Sequence, residues 1–447
     1  MLELKRDIYE KLIEWKKQDS GKVLELNGAR QVGKTFILDK FARENYKRYF
    51  YINMMQTSGK EFVECYYAAT SWKPGEKRIE RPLQKTFELF DETFADDKNT
   101  IVVIDEIQES AEVYSMIRQF ARDFSCHFVV TGSYLGKTLS KEYFLPAGDI
   151  DTMVLDTLSY EEFLGTVGLR NVYDNLDLYG QGKQEEYEEL KKWYDIYIQI
   201  GGYPAVVKCY LETKDMEKCK EELANIIRIF VNESERYFND VLEVNLFEQL
   251  FPSIAQSMIK ESKGSSDRIS ELSKIIFKDE SDRITKKSVN QAIAWLYRSH
   301  IIGYCDRISE CNLMDVSYHS RFYFRDIGVA RHFLRIAGAD QATVEGIINE
   351  NFVYFYLERL IRERKLAGTS PAFGVYKGGE IDFFVRSVEN DKDYAIEVKS
   401  GKNIGKTAKD GKADYLYLLK GDTHGGIVDK KKYTVPIYLM GRITIVD

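Results

Sequence analysis

The run "GARQVGKT" at residues 28–35 constrains this chain more than any other stretch. It matches G-x-x-x-x-G-K-T at every fixed position, between an apolar strand pattern, "KVLELNG", and a helix pattern. That context requires a strand–loop–helix unit. The loop residues Gly28, Ala29, Arg30, Gln31, Val32 and Gly33 are expected to wrap phosphate, with amide N–H groups turned inward at a helix N-terminus. Lys34 can neutralise β- and γ-phosphates, and the Thr35 hydroxyl can ligate Mg²⁺. The expected ligand is a nucleotide, ATP, together with Mg²⁺.

The flanking sequence supplies the sheet this loop needs. "KVLELNG", "RYFYINM", "TIVVIDE", "HFVVTGS" and "DTMVLDT" are short apolar or β-branched runs separated by helix patterns, the order of a parallel α/β sheet. "TIVVIDEIQ" delivers Asp105 to the end of a buried strand, where it can hold Mg²⁺. Glu106 follows, placed to orient and deprotonate an attacking water. "HFVVTGS" ends in Thr131 and Ser133, which either face the γ-phosphate and water or cap the next helix. The "RYFYINM" run falls between the loop helix and the Asp–Glu strand. The two motif strands are therefore not consecutive, as in the ASCE group of P-loop ATPases.

Composition narrows the setting. A chain of 447 residues has room for roughly three domains. With 44% hydrophobic and 30% charged residues it has the makeup of a soluble globular protein. The net charge of −7 carries no global signature of nucleic-acid binding, so such a role needs a local basic face. The six cysteines are scattered without a CxxC pair, which fits reduced thiols in a cytoplasm. No apolar run is long enough to span a bilayer, so no membrane partner is expected.

Several later runs complete a pattern. "GARQVGKT", "VVIDEIQ", "VVTGSYLG", "LSYEEFL" and "GGYPAVV" are followed by "FYFRDIGVA", "GIINENFVYFYL", "GGEIDFF" and "AIEVKSGK". In this order they resemble the prokaryotic AAA-type ATPases that carry a C-terminal DUF4143 region, and the resemblance covers essentially the whole chain. It implies an α/β multidomain protein: a P-loop ATPase core over residues 1–165, a helical lid over 166–240, a winged-helix-like domain over 241–340, and a restriction-endonuclease-like α/β domain over 341–447. Many relatives carry an Arg ahead of a "PLSF" segment. Here Asp149 stands at the Arg position and Thr157 at the Pro position, so an arginine finger from that place is not expected. Arg30, Arg228 and Arg236 are the remaining candidates.

The stretch "GGEIDFFVRSVENDKDYAIEVKSGK" places Asp382 in one strand pattern and Glu397 and Lys399 in the next. Nuclease cores of the PD-(D/E)xK type need this set: carboxylates on neighbouring strands whose repulsion a divalent cation relieves, and a lysine on the same strand face as the glutamate. Glu350, in the preceding helix pattern, is the candidate upstream carboxylate. Glu350, Asp382 and Glu397 thus define a possible second divalent-cation site. A hairpin with charge pairs on its wet face explains the same residues. Lys286, Lys287 and Arg298 on the winged-helix-like stretch could touch phosphate, though Val289, Ile293 and Leu296 there form a core stripe. "KSGKNIGKTAKDGK" could track a phosphate backbone or remain a solvated loop.

Two functions follow. One is an ATP-hydrolysing protein acting on or near DNA or RNA through a nuclease-like domain. The other is a nucleotide-switched regulatory or scaffolding ATPase whose C-terminal domain binds protein and cuts nothing. The complete Glu350, Asp382, Glu397 and Lys399 set favours the first; the acidic balance favours the second.

Overall fold

A computed structural model of the protein describes residues 4–71, 79–133, 148–238, 246–259, 286–377, 379–399 and 413–445. These fall into two compact units. One holds Arg6–Asp156 with Arg298–His300; the other holds the described residues of 1–5, 157–297 and 301–447.

The first unit is built on a five-stranded sheet in the order β2-β3-β4-β1-β5. Its strands are β1 (Val23–Asn27), β2 (Arg48–Asn53), β3 (Thr100–Asp105), β4 (His127–Thr131) and β5 (Ile150–Val154). All neighbours are parallel. Every residue of β3 and β4 is buried, as a parallel sheet covered on both faces requires. On one face the rings of Phe62, Phe94, Phe120, Phe124 and Phe128 surround Phe87. The amphipathic helix Ile8–Gln18 buries Ile8, Leu12 and Trp15, spaced to fall on one helical face. β2 follows the P-loop helix in the chain, but within the sheet it is β4 that lies between the motif strands β1 and β3.

The second unit contains two sheets. Strands β6 (Ile302–Ser309) and β7 (Val316–Phe324) form an antiparallel pair after the helix Lys286–Arg298. Val289, Ile293 and Leu296 of that helix are buried, as their spacing predicts. The pair is not a free wing. β6 also pairs in parallel with β8 (Ala372–Tyr376), and β9 (Gly379–Ile381) completes a four-stranded sheet in the order β7-β6-β8-β9. The sheet therefore joins segments that the sequence assigns to separate modules on either side of residue 340.

The other sheet has the order β10-β11-β12-β14-β13. Its strands are β10 (Phe383–Arg386), β11 (Asp393–Lys399), β12 (Tyr415–Lys420), β13 (Gly426–Asp429) and β14 (Lys432–Pro436). β10 is antiparallel to β11, whereas β11, β12 and β14 run parallel. Asp382 sits where the chain leaves one sheet for the other.

Buried polar contacts join the distant sequence runs. Asp326 of "FRDIG" caps the helix Ile327–Ile336 through the Val329 N–H and also accepts from the Gly202 N–H of "GGYP" at 2.8 Å. Gly201 holds φ +75°, and a Cβ there would lie 2.5 Å from Asp326 Oδ1, so glycine is required on two counts. Glu161 of "LSYEEFL" is buried, accepts from the Tyr356 hydroxyl and pairs with Arg359 at 3.2 Å. Burial pushes its carboxyl up, but Arg359 and the Tyr356 hydroxyl outweigh burial and hold it below the ordinary range. These motifs are legible as packing before any chemistry is asked of them.

Candidate functional site

β1 ends at Asn27, and the chain turns through residues 28–33 into the helix Lys34–Asn45. Gly28 has φ +144°, and a Cβ there would stand 2.1 Å from the Leu155 carbonyl oxygen, so the loop can pass this close to the segment after β5 only as glycine. Arg6 clamps the loop from outside, donating to the Val32 carbonyl at 2.9 Å and the Asp156 carbonyl at 2.6 Å. Lys34 is buried, and its ammonium donates to the Gly28 and Ala29 carbonyls, each at 2.8 Å. Burial lowers its pKa to about 8; Glu106 and Asp105 oppose that shift and nearby Arg30 adds to it.

Asp105 is buried at the end of β3. Its Oδ2 accepts from the Thr35 hydroxyl at 2.8 Å and the Tyr51 hydroxyl at 2.7 Å. Its Oδ1 accepts from the Glu106 N–H at 2.8 Å. Glu106 makes that bond by adopting φ +50°, a left-handed conformation that is uncommon away from glycine. The Glu106 carboxylate accepts from Gln108 Nε2 at 2.7 Å and, at 3.4 Å each, from the Ser133 N–H and hydroxyl. The fold thus brings Lys34, Thr35, Asp105, Glu106 and Ser133 together. Thr131 is placed differently: it is fully buried and donates its hydroxyl to the Leu26 carbonyl at 2.7 Å, tying β4 to β1.

The oxygens present suit Mg²⁺. Thr35 Oγ1 and Asp105 Oδ2 are adjacent hard donors 2.8 Å apart at the mouth of a phosphate loop. Asp149 lies just before β5, which runs parallel to β1, and so at the sheet end opposite the loop. It accepts from Arg122 at 3.1 Å and faces Arg118 at 3.7 Å. Arg228 and Arg236 belong to the other unit.

The C-terminal cluster differs from a wet hairpin face. Glu397 is only 1% exposed. Its Oε2 lies 2.7 Å from the Lys399 ammonium, while Oε1 is buried with no hydrogen-bond partner among the described residues. Asp382 accepts from the Val398 N–H at 2.7 Å and lies 3.4 Å from Lys399. Burial, reinforced by neighbouring Asp382, pushes the Glu397 carboxyl up to about 7, and burial also raises Asp382. Burial works against the Lys399 charge, yet the two carboxylates raise its proton affinity overall.

Glu350 is not gathered into this pair. It faces the Tyr323 hydroxyl at 3.5 Å and lines a small cavity with Arg321 and Tyr323. Among the described residues no group of three or more His, Cys, Asp or Glu side chains is placed to hold a metal ion. The second cation site expected from Glu350, Asp382 and Glu397 therefore has no assembled ligand set, and Lys399 supplies the cation between Asp382 and Glu397 instead. The Lys286 side chain and the basic run 400–412 lie outside the described residues.

The sequence reading missed Arg6, Tyr51, Asn53 and Gln108. A signal existed for two of them: Tyr51 and Asn53 are alternate polar positions in the run "RYFYIN", hence on one strand face. Arg6 and Gln108 carry no local signal.

An AAA-domain family model matches residues 20–164, and a domain of unknown function, DUF8612, matches residues 191–340. The second match covers part of the expected lid and the expected winged-helix stretch, and it is to DUF8612 and not to the DUF4143 region that the resemblance implied. No curated protein matches the sequence. Among solved structures, a Walker-type ATPase of Pyrococcus abyssi is similar at 14% identity, over 74% of this chain and 96% of that one, with a TM-score of 0.45. The ORC2 protein of Aeropyrum pernix is similar at 11% identity, over 78% and 94%, with a TM-score of 0.35. The ORC1 protein of the same organism, in complex with DNA, is similar at 12% identity, over 76% and 91%, with a TM-score of 0.29. No described helix is long and apolar enough to cross a membrane. The phosphate loop and the buried Asp105 both fall within residues 20–164, the stretch that the AAA-domain model matches.

Proposed function

We propose that the chain binds ATP with Mg²⁺ between the 28–35 loop and the end of β3, and hydrolyses it with Glu106 as the water-orienting base. The observation that carries this reading is the junction at Asp105, where the loop helix, through Thr35, meets the strand that presents Glu106. Mg²⁺ supplies charge neutralisation on the phosphates when bound. Lys34 would supply a second positive charge to the phosphates. Glu106, held by Gln108 and Ser133, is the carboxylate that can take a proton from water. The test is ATP binding and phosphate release by the full chain. Lys34→Ala is expected to weaken binding and lose turnover, and unchanged turnover in that variant would overturn the reading.

A second reading concerns Asp382, Glu397 and Lys399, whose order in the sequence resembles the nuclease-like part of DUF4143 proteins. The observation in its favour is the buried Glu397 Oε1, without a hydrogen-bond partner among the described residues, together with a carboxyl raised to about 7. Acids kept in this state cluster at sites that use them. On this reading the C-terminal unit acts on DNA or RNA, and nucleotide turnover in the first unit accompanies that action. Labelled single- and double-stranded DNA and RNA, offered with Mg²⁺ or Mn²⁺, with and without ATP, provide the test. Cutting lost in Glu397→Ala supports nucleic-acid chemistry. No cutting by any form, with ATP still hydrolysed, supports a regulatory ATPase whose C-terminal unit binds protein.

A further inference from the structure

The Asp105 carboxylate is held by a relay that begins on the next strand. β2 and β3 pair in register with Tyr51 opposite Val103 and Asn53 opposite Asp105. Asn53 Oδ1 accepts from the Met55 N–H at 2.9 Å, which fixes the amide so that Nδ2 donates to the Tyr51 hydroxyl at 3.2 Å. Because the phenol oxygen accepts there, its proton is directed to Asp105 Oδ2 at 2.7 Å. The Glu106 N–H fixes the other carboxylate oxygen at 2.8 Å. No part of this relay lies in the phosphate loop or depends on its motif.

Resting on the Mg²⁺·ATP reading above, we propose that Tyr51, oriented by Asn53, is a positioning residue that sets the Asp105 carboxylate for the cation bound with the nucleotide. Thr35 also donates to Asp105 Oδ2, but its hydroxyl has a second duty as a cation ligand. Tyr51 has no such duty, so it is the donor that remains committed to Asp105. Partners that orient a ligating group are commonly worth about 10- to 100-fold in metal affinity. Tyr51 acts on the cation and not on the phosphates, which are addressed by the loop and Lys34.

The test is binding of a fluorescent, non-hydrolysable ATP analogue to the full chain, first in EDTA and then with Mg²⁺ titrated in. Wild type is compared with Tyr51→Phe and Asn53→Ala, and thermal unfolding of each variant checks that it is folded. Tyr51→Phe is expected to keep its EDTA affinity within about twofold while its Mg²⁺ midpoint rises about tenfold. Asn53→Ala should move the midpoint in the same direction by less. An unchanged midpoint in Tyr51→Phe, or an equal loss of affinity in EDTA and in Mg²⁺, would overturn the proposal and make Tyr51 a packing residue. Wild-type binding that ignores Mg²⁺ would instead remove the Mg²⁺·ATP reading itself and the proposal with it, and the wild-type titration alone shows which has failed.

Discussion

Two places in this chain combine one lysine with two carboxylates, and they use the combination in opposite ways. At the phosphate loop, Lys34 is hydrogen-bonded to backbone carbonyls, and Asp105 and Glu106 are held by neutral donors: Thr35, Tyr51, Gln108 and Ser133. At the C-terminal cluster, Lys399 is ion-paired directly with Glu397 and Asp382. The first arrangement keeps its opposite charges apart and available to a ligand carrying both anionic oxygens and a cation. The second neutralises its charges internally. The proton affinities follow: Lys34 is lowered to about 8, whereas Lys399 is raised. A lysine beside acids is therefore not one motif. What its ammonium bonds to decides whether it waits for a ligand or stabilises the fold.

The sharpest way to break this contrast is to remove each lysine in turn. Lys399→Ala should leave two buried carboxylates without their cation and destabilise its unit by about 3 kcal/mol, with ATP affinity unchanged. Lys34→Ala should do the reverse: thermal stability retained, ATP affinity reduced about a hundredfold, since a charged partner of the phosphates has been truncated. Equal effects of the two substitutions on stability would erase the distinction. A smaller effect comes from pH. Above about 8 the free protein's Lys34 loses its proton, so binding must take one up, and the Kd for ATP should rise by up to about tenfold per pH unit. A flat profile between pH 7 and pH 9.5 contradicts the assignment of that proton to Lys34.

The smallest effect concerns Glu397. Its carboxyl titrates near 7 in the folded protein against an ordinary 4.5. Between those values the folded chain holds a proton that the unfolded chain has released, so stability falls as pH rises through this window. Gln cannot ionise, and Glu397→Gln should therefore be stabilised relative to wild type by about 1 kcal/mol more at pH 6 than at pH 5. Thermal unfolding at the two pH values measures it, and a stability difference independent of pH speaks against a strained carboxylate.

The sequence made the phosphate loop, Asp105 and Glu106 legible because each is encoded locally: fixed spacing within "GARQVGKT", and an apolar run that ends in an acidic pair. What depends on strand pairing was not legible. Nothing local to "HFVVTGS" says that β4 inserts between β1 and β3, and the order of β2 and β3 is what sets Tyr51 against Asp105. Thr131 shows the cost of reading end-of-strand hydroxyls by position, since its donor goes to the Leu26 carbonyl. In the C-terminal unit, D…E-x-K fixes which residues share a strand face but not whether that face is wet. Glu397 is buried there, on a strand that lies inside the sheet between β10 and β12. The pairing of β6 with β8, which turns an expected wing into part of a larger sheet, is likewise a contact between segments more than sixty residues apart.

The most direct test of the central claim separates binding from turnover at Glu106. Glu106→Gln keeps the shape of the side chain and the backbone bond from residue 106 to Asp105, and removes only the base. ATP affinity and phosphate release would be measured on the same preparations of wild type and variant. Affinity within a few-fold of wild type with hydrolysis reduced about a hundredfold or more is the expected result, because positioned general bases contribute on the order of 10²–10⁴. Hydrolysis at the wild-type rate in Glu106→Gln would contradict the account, since the residue that the turn after β3 holds in place would then play no part in the chemistry.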